Sequence, residues 1–256
     1  MWNYHLCKEM NNFGVGVQWQ LPLIQGYVGT FNVPVQKKPV QCFLISRRSW
    51  IRGGTRSNIR GLDDQGNVAN FVETEQIVVY NGYSCSHIQL RGNPPIFYTE
   101  QASTMTTQVK VTRSVEFTNH AFIEHLKILD NDWSYVLCVN LLTQTKREEQ
   151  LMTEVYEDLM KNNSFKRIRY EFFDYVNAIK TGKHDKVNIF VQKLRPVLEN
   201  MAFYVEDLTN HQVKLAQRGV IRTSCVDGLD RTNYIQAKLA IAILHVQVFS
   251  SGKTFF

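Results

Sequence analysis

The first ninety or so residues carry short apolar and alternating runs that are typical of β-strands. These runs are rich in β-branched and aromatic residues, and Gly, Asn and Pro stand at their ends. The pattern predicts strands over 40–46, 70–80 and 86–92. We therefore expect the first part of the chain to be mainly β-structure.

From about residue 117 the apolar positions recur at spacings of three and four, which is the period of an amphipathic helix. Helices are predicted over 117–129, 147–161, 186–208 and 232–247. In the second, Leu151, Val155 and Leu159 are expected to form the buried face, with acidic residues on the other. Pro196 predicts a kink or a boundary in the third helix. The fourth helix is apolar almost all round and is expected to be buried.

Two short apolar runs, 133–142 and 219–224, lie among these helices and predict buried strands. Strands that alternate with helices predict an α/β fold, with α+β as the alternative. We expect a mixed sheet with flanking helices. At its centre a strand, a loop and a helix are expected to follow one another.

The composition indicates an ordinary globular protein and favours anionic partners. The 256 residues are 44% hydrophobic and 20% charged, as in an ordinary globular protein, and the net charge of +6 favours anionic partners. Five widely spaced cysteines without a Cys-x-x-Cys pair argue against disulfides or structural zinc and favour a reducing compartment. No apolar run reaches the roughly 20 residues of a membrane span. The histidines show no metal-binding spacing, so neither metal nor cofactor is predicted.

The stretch RTSCVDGLDRTNYIQ, residues 222–236, carries the candidate chemistry. Cys225 and Arg231 are separated by five residues, between a predicted strand and a predicted helix. A loop at that place can turn its backbone N–H groups inward and hold an oxyanion at the helix N-terminus. Arg231 would clamp two phosphate oxygens, and Gly228 would permit a tight turn. The amides of the predicted phosphate site belong to Val226, Asp227, Gly228, Leu229 and Asp230.

The thiol of Cys225 is expected to act as the nucleophile, with a pKa lowered from its free value of about 8.5. The leaving oxygen of an alkyl phosphate needs a proton, which Asp227 or Asp230 could supply, and Asp227 is favoured. Asp63 and Asp64 could supply the acid from outside the loop, although a turn is the simpler interpretation of their segment. Spacing alone also fits a buried structural thiol beside a charged surface turn.

The same stretch resembles the signature of Sac-domain phosphoinositide phosphatases, which reads R-S/T-N/S-C-V/M-D-C-L-D-R-T-N-x-x-Q. A second long block agrees with that family, LISRRSWIRGGTRSNIRGLDDQGNVANFVETEQIVVYNG at 44–82, as do WNYHL at 2–6 and LPLIQGYVG at 21–29. The resemblance covers nearly the whole chain. It implies metal-independent hydrolysis of a phosphate from the inositol ring of a membrane lipid, with Cys225 as nucleophile, Arg231 as clamp and Asp227 in catalysis.

Overall, the sequence resembles most the Sac enzymes that act on phosphatidylinositol 4-phosphate at endoplasmic reticulum and Golgi membranes. That resemblance implies a cytoplasmic chain bound peripherally to endomembranes, with a phosphoinositide as partner and no nucleic acid. Gly228 departs from the family's second cysteine and is expected to alter loop flexibility. By the same comparison, residues 1–256 are expected to be an incomplete catalytic region that lacks a preceding β-rich subdomain and a C-terminal continuation.

The remaining charged residues leave alternatives open. The arginine-rich block, Arg47, Arg48, Arg52, Arg56 and Arg60, could contact inositol phosphates or anionic lipid, or form a solvated or internally paired face. Glu73 and Glu75 are expected to form structural salt bridges rather than to act in catalysis. The rival functions are a catalytically impaired module that binds phosphoinositides or a protein, and a phosphatase acting on phosphoproteins.

Overall fold

A computed structural model of the chain describes residues 2–35, 38–54, 58–102, 107–180 and 185–250. The helices are α1 Tyr4–Asn12, α2 Val115–Asp132, α3 Arg147–Asn162, α4 Tyr175–Lys180, α5 Asp185–Met201 and α6 Asp230–Ser250. The strands are β1 Gly26–Val35, β2 Lys38–Arg48, β3 Val72–Tyr80, β4 Tyr83–Gly92, β5 Tyr98–Ala102, β6 Thr107–Val111, β7 Tyr135–Asn140, β8 Ile168–Phe172, β9 Tyr204–Asp207, β10 Gln212–Leu215 and β11 Gly219–Ser224.

The main sheet is mixed and has the order β1-β2-β3-β4-β11-β7-β8. Strands β1 to β4 form an antiparallel meander, whereas β4, β11, β7 and β8 run parallel to one another. Strand β9 pairs with the first half of β4, and β10 pairs with β9. The expected α/β fold with a mixed sheet and flanking helices is confirmed.

Helices cover both faces of the parallel half. Successive strand residues point to opposite faces, and along β7 Val136 and Cys138 face one core while Leu137 and Val139 face the other. Helices α2 and α3 contribute to the first core, and α5 and α6 to the second. Every residue of β11 is buried, as expected for a central parallel strand.

Helix α5 ends earlier than the sequence predicts. The predicted helix over 186–208 stops at Met201, because Ala202 takes a left-handed backbone conformation with φ of 60°. Tyr204–Asp207 then pairs with β4 instead of continuing the helix. Pro196 lies inside α5 and does not mark its end.

Two predicted burial patterns also differ. The stripe of α6 formed by residues 233, 237, 241 and 245 is exposed, so the expectation of burial all round is wrong on that side. Helix α3 buries Met152, Tyr156 and Leu159, whereas Leu151 is 39% exposed. Within the described residues, none of the helices is both long and apolar enough to cross a membrane.

Candidate functional site

The cysteine loop, residues 225–231, joins the central strand β11 to helix α6. It lies at the carboxyl end of β11, where β4 and β7 also end in parallel. Crevices at the carboxyl ends of parallel strands are the usual ligand sites of open α/β sheets. The predicted order of strand, loop and helix is therefore confirmed. The loop lies at the sheet edge where ligands usually bind in such folds.

Three predicted site residues meet in this loop. The Sγ atom of Cys225 lies 3.1 Å from Oδ1 of Asp227, which also accepts a hydrogen bond from the Leu229 N–H at 2.9 Å. The thiol is completely buried. The charge of Arg231 also acts on the Cys225 thiol. Cys225, Asp227 and Arg231 therefore form one electrostatic cluster.

The expected lowering of the thiol pKa is wrong for this arrangement. Burial raises the pKa of Cys225, the Asp227 carboxylate raises it further, and the total brings it to about 11 even though Arg231 acts in the opposite direction. A charged thiolate is costly in a site that water does not reach, and a neighbouring carboxylate adds repulsion. The sequence could not show either effect, because both depend on how deeply the loop is packed.

The carbonyl groups of the cysteine loop are fastened to the residues around it. Asn93 Nδ2 and Tyr98 Oη both donate to the Val226 carbonyl, at 2.9 Å and 2.6 Å. Asn70 Nδ2 donates to the Asp227 carbonyl at 3.1 Å, and Arg91 Nη1 donates to the Gly228 carbonyl at 2.6 Å. These side chains fix the backbone of the loop from the carbonyl side. Sequence reasoning had not assigned them to the site.

Among the amides of the predicted phosphate site, two already have partners within the loop. The Gly228 N–H donates to the Cys225 carbonyl at 3.2 Å, and the Leu229 N–H donates to Asp227. Asp230 is exposed at the first position of α6. Phosphate binding by the loop amides stays a prediction.

Gly228 occupies a position that a side chain would not fit well. Its φ is 69°, in the left-handed region, and an added Cβ would lie 3.1 Å from the carbonyl carbon of Gly92. A cysteine at this place, as in the Sac-domain signature, would therefore need a shift of the loop or of the end of β4.

Glu149 is the site residue that the sequence analysis missed most clearly. Its two carboxylate oxygens accept hydrogen bonds from Arg231 Nη1 at 2.5 Å and Nη2 at 2.9 Å. The Glu149 side chain is only 3% exposed and also accepts from the Thr143 N–H at 3.0 Å. A second Nη1 bond, at 3.3 Å, goes to the Leu141 carbonyl.

These bonds leave one edge of the guanidinium available. A guanidinium has five N–H groups, and it can hold an anion through the Nη1/Nη2 end or through the Nε/Nη2 edge. Glu149 takes the first pair, and within the described residues no hydrogen bond to Arg231 Nε is found. Arg231 is thus held in place by Glu149, and its Nε takes part in none of these bonds.

Glu149 could have been found from its spacing. It precedes the buried residues Met152 and Tyr156 by three and seven positions, so it shares their helix face. An acid on a buried face needs a partner, and a buried arginine is the commonest one. The sequence analysis placed Leu151 and Val155 on the buried face, and on that assignment Glu149 does not lie on the buried face.

The other acidic residues are placed away from the chemistry. Asp63 Oδ1 accepts from the backbone N–H groups of Gln65 and Asn67, which makes the segment a turn, and Asp64 pairs with Arg113. Glu73 and Glu75 both pair with Arg47, so their expected structural role is confirmed.

The arginine-rich block divides between several structural roles. Arg52 donates to the backbone carbonyls of Arg60 and Gly61, and Arg60 pairs with Glu100 at 2.5 Å. Arg48 donates to Gln25 and Asn70. Arg56 lies outside the residues that the structure describes.

The chain is similar to one known domain family and to several known proteins. The profile of the SacI homology domain matches residues 1–180. Human synaptojanin-1 is 34% identical over 254 residues, which are 98% of this chain and 16% of that protein. The polyphosphatidylinositol phosphatase INP53 of Saccharomyces cerevisiae is 33% identical over 94% of this chain and 23% of its own length. An inositol-1,4,5-trisphosphate 5-phosphatase of Schizosaccharomyces pombe is 33% identical, again over 23% of its length. The chain therefore spans less than a quarter of each of these relatives.

Proposed function

We propose, since this chain belongs to the SacI homology domain family, that it hydrolyses a phosphate monoester on the inositol ring of a membrane phosphoinositide. The observation that carries the proposal is the arrangement of the Cys225 thiol 3.1 Å from the Asp227 carboxylate, in a loop whose arginine is held by Glu149. Phosphatidylinositol 4-phosphate is the favoured substrate by family resemblance. The surface of an endomembrane is the expected place of action.

The proposed reaction begins with a proton transfer inside the loop. The Cys225 thiol gives its proton to Asp227, which becomes a carboxylic acid while the sulfur becomes a thiolate. Because the pKa of Cys225 is raised, the proton stays on sulfur in the resting protein, and its transfer is coupled to the attack of sulfur on phosphorus, which consumes the thiolate charge. The thiol proton is then available to the leaving group.

Thiolate attack forms an S–P bond and breaks the bond between phosphorus and the inositol oxygen. The Asp227 proton passes to that departing oxygen, so that the inositol lipid leaves as an alcohol and Asp227 is again ionised. In the second half Asp227 takes a proton from water, and the water oxygen attacks the phosphocysteine. The S–P bond breaks, inorganic phosphate leaves, and the thiolate takes the proton back from Asp227, which is again ionised.

Arg231 and Glu149 divide two tasks in this scheme. The Nε/Nη2 edge of Arg231 binds two phosphate oxygens and stabilises the charge that develops on them during transfer. Glu149 keeps the guanidinium from turning, so that the arginine loses little freedom when phosphate binds. Asp230 remains the alternative acid, although it lies on the exposed start of α6.

The test is phosphate release from short-chain phosphatidylinositol monophosphate isomers by the protein and by its Cys225→Ser variant. We expect the variant to lose at least about a thousandfold in rate, because an alcohol is a poor nucleophile here. Cys7→Ser is the matched control, since Cys7 is buried in α1 outside the loop and should leave the rate unchanged. Undiminished release by Cys225→Ser would rule out the proposed mechanism.

A second candidate function is suggested by the burial of the thiol. A completely buried cysteine with a pKa of about 11 also fits a module that binds phosphoinositides without turning them over. Vesicle binding by the unmodified chain, together with no phosphate release from any isomer, would favour that module over the enzyme.

A further inference from the structure

A cavity borders the cysteine loop. Its volume is about 680 Å³, within the usual range for ligand pockets. Two residues of its wall, Asn70 and Arg91, hold the loop directly through the carbonyls of Asp227 and Gly228. Asn233, in the first turns of α6, forms another part of the wall. A molecule bound in the loop would therefore have this cavity beside it.

The lining of the cavity is cationic and rich in hydrogen-bonding groups. Two guanidinium groups, of Arg48 and Arg91, contribute to it, as do the carboxamides of Gln25, Asn70 and Asn233. None of the lining residues identified in the described part of the chain is acidic. Carboxamides suit the hydroxyl groups of a polyol, and guanidinium groups suit phosphate.

Two neighbouring arginines of β2 lie on opposite faces of the strand. Ser46 and Arg48 face the cavity, while Arg47 between them lies on the other face, where it pairs with Glu73 and Glu75. Arg48 donates hydrogen bonds to oxygens of Gln25, Gly54 and Asn70. These bonds help to hold Arg48 on the cavity side of β2.

We propose that this cavity binds a second phosphate of the same inositol headgroup whose first phosphate reacts at Cys225, with Arg48 as the main contact. The inference rests on the proposed function and adds a specificity determinant to it. The second phosphate has two possible sources: a further phosphate on the ring, or the phosphodiester that joins the ring to glycerol. Both are anionic and both would be recognised by the same guanidinium.

The experiment compares kcat/KM for three substrates: free inositol monophosphate, a short-chain phosphatidylinositol monophosphate, and a short-chain phosphatidylinositol bisphosphate. The ratio of the second to the first reports recognition of the phosphodiester. The ratio of the third to the second reports recognition of another ring phosphate. We expect one of these ratios to exceed one in the unmodified chain and to fall by about tenfold in Arg48→Gln, the loss expected for one charge-assisted contact.

Matched variants separate this role from simple damage to the fold. Arg47→Gln changes the neighbouring arginine on the opposite face and should leave both ratios unchanged. Arg48→Lys keeps the charge and should retain part of the preference. Asn233→Ala, at an exposed position of the cavity wall, should lower the ratio that Arg48→Gln lowers, by a smaller factor. It replaces Arg48→Gln if that variant is too unstable to measure. Thermal unfolding of each variant shows whether the protein is folded.

The proposal is overturned if Arg48→Gln, or Asn233→Ala in its place, lowers kcat/KM by the same factor for all three substrates, so that both ratios stay unchanged. It is also overturned if Arg47→Gln changes the ratios as much as Arg48→Gln does. Loss of all activity in Cys225→Ser together with unchanged ratios in Arg48→Gln would reject the second-phosphate site and leave the proposed reaction standing.

Discussion

Arg47 and Arg231 each bind carboxylate oxygens through both terminal nitrogens, but their surroundings are opposite. Arg47 lies in the antiparallel half of the sheet and pairs with Glu73 and Glu75 at 2.8 Å and 2.7 Å. Its side chain is 36% exposed. Arg231 lies in the parallel half and pairs with Glu149, whose side chain is 3% exposed.

The difference shows why a short ion pair alone does not identify a site. A pair in contact with water contributes little, because solvent screens the charges and the side chains lose freedom. A buried pair is different, since removing one partner leaves a charge without compensation in the interior. Of these two pairs, the Arg231 pair has the buried carboxylate, and the charge of its arginine acts on the Cys225 thiol.

The largest expected effect is the loss of activity when the carboxylate partner of Arg231, rather than that of Arg47, is replaced. Glu149→Gln should lower kcat/KM for a phosphatidylinositol monophosphate by about a hundredfold, because a neutral amide holds the guanidinium less firmly and repels one of its nitrogens. Glu75→Gln, in the half-buried Arg47 pair, should change it by no more than about twofold, because Arg47 still pairs with Glu73. Steady-state phosphate release measures both.

A positioning role for Glu149 also predicts how the loss is divided. The decrease should lie mainly in kcat, because the interaction with Arg231 matters most when charge develops on the phosphoryl group. A Glu149→Gln variant as active as Glu75→Gln, and equally well folded, would show that the Arg231 pair is merely structural.

The second prediction compares two glycines from the same halves of the molecule. Gly228 in the cysteine loop and Gly82 in the β3–β4 turn both have positive φ, at 69° and 81°. A Cβ at Gly82 would meet nothing within 4 Å, whereas at Gly228 it would lie 3.1 Å from the Gly92 backbone. Gly82→Ala should reduce the free energy of unfolding by about 1 kcal/mol, which is the cost of the left-handed conformation.

Gly228→Ala should reduce the free energy of unfolding by about 2 kcal/mol or more, since the backbone contact adds to the conformational cost. Urea unfolding of the two variants and the unmodified protein measures the difference. Equal losses would mean that the approach of Gly228 to Gly92 does not constrain the loop.

Local patterns in the sequence were enough for β2, β3, β4, β7 and β11 and for the strand–loop–helix unit around Cys225. The strand before Cys225 and the helix after Arg231 are specified by apolar runs adjacent to the motif, so the strand–loop–helix unit was predictable. The boundary of α5 was not, because it depends on the pairing of Tyr204–Asp207 with a strand more than a hundred residues earlier.

The partners of the loop were hidden for the same physical reason. Glu149 is 82 positions from Arg231 along the chain, and Asn93 is 133 positions from Val226. The raised thiol pKa depends on the burial that such distant segments create. Short-range spacing identifies which residues can do chemistry, whereas tertiary packing sets their charge states.

The smallest predicted effect concerns the ionisation of the Cys225 thiol. It follows from the Asp227 carboxylate next to the sulfur. Asp227 raises the pKa of Cys225, so Asp227→Asn should lower this pKa from its value of about 11. At any pH below about 11 a larger fraction of the Cys225 thiol is then ionised. Alkylation of Cys225 by iodoacetamide should therefore become faster. Peptide mass spectrometry between about pH 7 and 10 follows this residue separately from the other cysteines.

Phosphate release should change in the opposite direction, because Asp227→Asn removes the group that carries the proton to the leaving oxygen. Glu75→Gln is the control from the Arg47 pair and should alter neither the alkylation rate nor its pH dependence. Slower alkylation in Asp227→Asn would contradict the assigned cause of the raised pKa. Faster alkylation with undiminished phosphate release would instead transfer the acid role to another residue, with Asp230 the first to test, and would leave Asp227 as a residue that only keeps the resting thiol protonated.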